Sequence, residues 1–142
     1  MGVLKLAGEI GKDEGEAVAA AASARAEQIG KGRDADRIKR EGADAAKRAE
    51  RRTRTISIDT ALALTAAWFV DLIAVAEGAQ GLIRNVDRTA ALRDGAADLD
   101  PALARRAAEF AMETRRHLTV NVQEELALEA LFHRIAAMFA AP

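Results

Sequence analysis

The chain has 142 residues, half of them hydrophobic, with a formal net charge of −1, two prolines and no cysteine. That length and apolar share allow one core without crosslinks, and the missing cysteines exclude zinc ribbons, thiol-redox centres and cysteine nucleophiles, in keeping with a cytoplasmic protein. Alanine and leucine dominate, the aromatics are limited to Trp68, Phe69, Phe110, Phe132 and Phe139, and strand-forming residues are too scattered for a sheet, so the composition predicts an all-α fold.

Near the N-terminus, Gly8, Gly11 and Gly15 interrupt the apolar set Val3, Leu4, Leu6 and Ile10, which predicts no more than a short first helix there. The first ten residues hold one lysine and two glycines around a short apolar part, so no secretory signal is expected. The string Gly8-Glu9-Ile10-Gly11-Lys12-Asp13 is too short for a phosphate loop and has Asp13 where a hydroxyl residue would reach magnesium. From residue 16 to 29 an alanine-rich run without a breaker predicts a helix, stopped by Gly30 and Gly32.

Asp34 is the expected N-cap of the next helix, which runs to Glu77 with no proline and with Gly42 as its weak point. At about 1.5 Å per residue such a helix would exceed roughly 60 Å, so either it projects at its charged N-terminal end or it breaks at the β-branched cluster Thr53-Arg54-Thr55-Ile56-Ser57. The favoured reading is a long helix with that cluster as the place for a kink. Between Lys31 and Arg54 ten basic residues stand against five acidic ones, a net of +5. The run has no aromatic residue for base stacking and reads as the solvated side of a helix. From 61 to 76 only Thr65 and Asp71 are polar. Sixteen residues fall short of the roughly 20 that a bilayer demands, and Asp71 would be costly in lipid, so this stretch is expected to be the buried centre of a bundle.

Gly78 closes that helix at a position suited to left-handed backbone. Asn85 and Asp87 offer caps for a short helix ended by Gly95. Asp100 followed by Pro101 then starts a helix to Leu118. Its expected inward residues are Leu103, Ala107, Phe110, Ala111, Thr114 and Leu118, with Arg105, Arg106, Glu109, Glu113 and Arg116 outward. Asn121, with Glu124 completing a capping box, is expected to open the last helix, where Leu128, Leu131, Phe132, Ile135 and Phe139 share a face. The sum is an antiparallel bundle of four to five helices with one long helix over 34–77, residues 1–32 forming a lead-in and 33–142 the main helical body.

His117 and His133 are the only histidines, and the first follows Arg115 and Arg116. Glu129 precedes His133 by one helical turn, which makes a surface pair, and neither a third ligand with metal spacing nor a nearby serine nucleophile accompanies them. No catalytic, cofactor-binding or metal residues are assigned. Trp68 and Phe69, being adjacent, point about 100° apart, so covering both takes neighbours on more than one side or an interface.

The string AAWFVDLIAVAEGA over 66–79, then Asn85-Val86-Asp87, then NVQEELALEALFHRI over 121–135, resembles in order and spacing the C-terminal helical domain of the delta-prime subunit of the bacterial DNA polymerase III clamp loader. Trp68-Phe69 with Asp71 stands at that family's aromatic pair and acid. The run from Leu126 to Leu131 matches its Leu-Ala-Leu-Glu-Ala-Leu segment, and the basic run 39–54 its charged lead-in. Gln123-Glu124 replaces a frequent Asn-Pro, and Val70 a common basic residue.

The resemblance implies a collar domain, associating with the collar domains of other clamp-loader subunits while the sliding clamp is loaded in DNA replication. The family's nucleotide-binding modules belong to an upstream part of the subunit, so the chain would be a fragment without enzyme activity, cofactor, small-molecule ligand, direct nucleic-acid binding or membrane contact. Trp68, Phe69, Leu72, Leu128 and Phe132 are the candidate interface residues. The alternatives are a small helical RNA-binding or RNA-cleaving protein using Arg115, Arg116 and His117, and a free-standing helical homodimer.

Overall fold

The computed structural model describes residues 2–120 and 122–140, and every described element is helical. The helices are α1 (Gly2–Ile29), α2 (Arg33–Ala76), α3 (Thr89–Ala96), α4 (Pro101–Leu118) and α5 (Glu124–Ala140), with 3₁₀ turns at Gln80–Leu82 and Val86–Arg88 between α2 and α3. The chain divides into two compact units, Met1–Thr60 and Ala61–Pro142, and the boundary falls inside α2.

The first unit is a hairpin of α1 and the N-terminal part of α2. Its α1 corrects the expectation of a helix broken by glycine, since the helix passes through Gly8, Gly11 and Gly15 without interruption. Gly11 and Gly15 are buried instead, in a small-residue stripe with Ala7 and Ala26. A β-carbon on Gly11 would lie 2.7 Å from the Glu50 carbonyl oxygen, one on Gly15 would lie 3.2 Å from that of Ala46, and one on Gly42 would overlap the Ala22 methyl. Rising numbers on α1 meet falling numbers on α2, so the pair is antiparallel. The seam brings backbone close to backbone, a closeness that larger side chains forbid.

The turn between them depends on Gly30, at φ +93°, whose amide donates to the carbonyls of Ala26 and Glu27. α2 starts at Arg33, and Asp36 donates its amide to the Gly32 carbonyl, so Gly32 holds the capping position expected of Asp34. Asp34 sits in the first turn, 3.5 Å from Arg37. The basic residues Lys39, Arg40, Lys47, Arg48, Arg51, Arg52 and Arg54 are all exposed, while Ala35 and Gly42 are buried.

α2 continues through the β-branched cluster. The Ser57 hydroxyl donates to the Thr53 carbonyl at 2.9 Å, and Thr65 does the same to Ala61 at 2.8 Å, so these side chains bond back to the preceding turn without ending the helix. Gly78, at φ +72°, ends it as expected. Ala79 donates to the Ala74 carbonyl at 2.7 Å and Gly78 to that of Val75 at 3.1 Å, the pair of bonds that satisfies the last free carbonyls.

The second unit packs the end of α2 with α3, α4 and α5. Leu72, Leu92 and Ala96 form its buried centre, with Trp68, Phe69, Val75, Ile83 and Leu99 against them. Gly95 does not end α3. It lies within the helix, where a β-carbon would come 3.1 Å from Leu72 Cδ2. α4 begins as expected, with Asp100 accepting the Ala102 amide at 2.8 Å and Pro101 at the first helical position. Ala107, Ala111 and Thr114 are buried, Leu103, Phe110 and Leu118 half-buried, and Arg105, Arg106, Glu109 and Arg116 exposed.

α5 starts at Glu124, its first intrahelical bond running from the Ala127 amide to the Gln123 carbonyl. The expected Asn121 cap lies outside the described residues. Leu128 and Leu131 are buried, whereas Phe132 and Phe139, expected on the same face, keep 46% and 41% of their surface. α5 runs antiparallel to α4: Arg134 reaches Glu113 and Phe110, while Leu126 shares a small groove with His117.

Candidate association surface

An apolar helix rarely carries a carboxylate without a reason, and Asp71 is the polar residue placed deepest in α2. It is fully buried. Its Oδ1 accepts the Arg84 amide at 3.1 Å, and Oδ2 accepts the Asn85 amide at 2.8 Å and the Asn85 side-chain Nδ2 at 2.6 Å. Asn85 therefore does not cap the following turn with its side chain, as the sequence reading expected, but clamps the loop after α2 onto Asp71. Burial by itself pushes the Asp71 carboxyl up and is the largest single influence. The bonds from the Asn85 amide, the Arg84 amide and the Asn85 side chain, with the Arg84 charge, outweigh it and hold the group below its ordinary value of 3.8.

The sequence reading passed over this lock. Its one signal was a lone acid in an otherwise apolar run, followed past the glycine turn by a donor-rich Asn. The same lock bears on the membrane question. α2 contains one stretch long and apolar enough by composition to cross a bilayer, and 33% of that stretch is buried within the fold. Asp71 is bonded to the loop after α2, but with only a third of the stretch buried and Leu64 and Val70 exposed, the expected buried centre of a bundle is only partly found.

Around the lock stand the aromatic residues. Trp68 and Phe69 are half-buried against the central cluster. The Phe69 ring stacks on that of Phe139, centroids 6.2 Å apart and planes within 11°, which draws the end of α5 toward α2. Arg134 sits 3.7 Å over the Phe110 ring and bonds Glu113 at 2.9 Å. Arg134 is partly exposed, so Arg134→Ala is expected to lower the stability of this unit by about 1 kcal/mol. A denaturation midpoint shifted by that amount, with an unchanged slope, is the measurement.

Of the candidate interface residues, Leu72 and Leu128 are buried within the unit at 5% and 3% exposure, so their apolar surface is already covered. Trp68 and Phe69 are half-covered, and Phe132 stands out to solvent.

Two grooves flank α4. The larger, about 440 Å³, is floored by Ala63, Ala66, Ala67, Val70, Ala108 and Met112, with Arg84, Arg115, Arg116 and Glu109 at its edges. The smaller, about 220 Å³, holds His117 beside Val122, Leu126 and Arg134. Arg115 and Arg116 thus line one groove and His117 the other, and the trio proposed for an RNA-cleaving centre is divided between the two. Among the described residues no group of three or more metal-capable side chains converges. The glycine-lysine string at 8–13 lies inside α1, a helix rather than a phosphate-cradling loop.

No family model, no curated protein and no solved structure matches the chain.

Proposed function

We propose that this chain is a subunit-association domain, the collar domain of a delta-prime-type subunit in a bacterial DNA polymerase III clamp loader, acting in the cytoplasm without catalysis of its own. The observation that carries the reading is the joint placement of the positions marking the resemblance. Trp68 and Phe69 pack against the central cluster, and Asp71 between them and the turn holds Asn85 of the Asn-x-Asp turn. These marked residues are far apart in sequence and lie within one compact unit, and that placement is what supports the reading.

The physical work of such a domain is burial of apolar surface against neighbouring helical domains, with charged groups at the rim setting which neighbour fits. The partners are the other clamp-loader subunits. The test is to mix the purified chain with those subunits and follow it by size-exclusion chromatography. Co-elution in a stoichiometric complex is expected, with no ATP hydrolysis and no salt-sensitive DNA or RNA binding by the chain alone. Separate elution at micromolar concentrations would overturn the proposal.

A further inference from the structure

The 440 Å³ groove and the outer face of α5 differ in the way that two halves of one contact differ. The groove has an alanine floor, exposed Val70, and three arginines against one glutamate. On α5 the exposed residues Glu125, Glu129, Phe132 and Ala136 follow at intervals of four, three and four, so they form one stripe along the helix. That stripe carries two carboxylates beside a large ring left 46% exposed.

We propose that the α2–α4 groove of one copy of this chain receives the Glu125–Glu129–Phe132 stripe of a second copy. Phe132 enters over the small floor formed by Ala63, Ala67 and Ala108, where short side chains leave room for a ring, and the two glutamates meet Arg84, Arg115 and Arg116 at the edge. The volume is in the range that encloses an anchoring group of this size, and a buried aromatic ringed by charge pairs is the usual anatomy of a specific contact.

The contact is head-to-tail. On α4, Ala108, Met112, Arg115 and Arg116 face the groove, whereas Phe110, Glu113, Thr114 and His117 lie on the side that meets α5. One copy therefore presents the groove and the stripe on different sides, and a groove-to-stripe contact leaves one of each unused. Heterologous contacts of this kind close into rings or extend. The inference goes beyond the clamp-loader assignment, since it needs only copies of this chain.

Sedimentation velocity of the purified chain across micromolar to millimolar concentration tests it. Concentration-dependent association that weakens with added salt is expected. Phe132→Ala, Arg116→Glu and Glu129→Arg are each expected to weaken it at least tenfold, with helical content by circular dichroism unchanged because all three side chains are exposed. An equimolar mixture of the Arg116→Glu and Glu129→Arg proteins should regain association, because each supplies the intact half that the other lacks. A chain that stays monomeric throughout, association indifferent to these changes, or a mixture that fails to regain association would overturn the inference. Co-elution with clamp-loader subunits would be untouched by that failure, so the two proposals fall separately.

Discussion

Asp71→Ala is expected to destabilise the second unit by about 3 kcal/mol, lowering its melting temperature by roughly 10–20 °C. The substitution leaves the amides of Arg84 and Asn85 and the Asn85 side chain without their acceptor, in a place where Asp71 itself has no exposed surface. Donors left without their acceptor beside a buried site cost stability beyond the bonds lost. Asp71→Asn keeps the shape but presents an amide group to one set of donors, and a smaller loss of about 1–2 kcal/mol is expected.

The pH dependence follows from the lowered carboxyl pKa. A group that ionises more readily in the folded chain than in the unfolded one contributes stability above its unfolded value, here about 3.9. That contribution is lost as pH falls through the folded value, which lies below the ordinary 3.8. Wild type and Asp71→Asn should differ by a constant amount near neutral pH, and their melting curves should approach each other below about pH 4. A difference that persists unchanged to pH 2.5 would show that the carboxylate charge is not what holds the loop.

Gly42→Val is expected to destabilise the hairpin of α1 and α2 by about 3 kcal/mol, and Gly11→Val by a similar amount. The new atoms meet the Ala22 methyl in one case and the Glu50 carbonyl in the other, so the helices must separate along the seam. Loss of that seam would appear as rapid amide exchange across residues 7–26. Gly8→Ala is the informative control, because nothing lies within 4 Å of its β-carbon position. There the gain in helix propensity is unopposed, and stabilisation by about 0.5–1 kcal/mol is expected. Gly8 and Gly11, three residues apart in α1, therefore respond with opposite signs, according to what lies across the seam.

Residue order alone determined the helical class, the extent of α2 to within one residue at each end, the Gly78 stop, the Asp100-Pro101 start and the inward face of α4. All of these depend on neighbours within about one helical turn, where spacing and capping act directly. The tertiary structure decided what those rules do not reach. Gly11 and Gly15 read as breakers until α2 is seen lying against them. Asn85 reads as a cap until Asp71, fourteen positions earlier, takes its donors. The same holds for the candidate surface: Phe132 was legible as apolar, but only packing separates it from Leu128, which shares its helix and is covered. Arg84 joins Arg115 and Arg116 in one groove through the folding of distant helices, and no local pattern marks it. Contacts between segments set these features, and their free energy depends on which surfaces meet, a matter that spacing along a single helix does not carry.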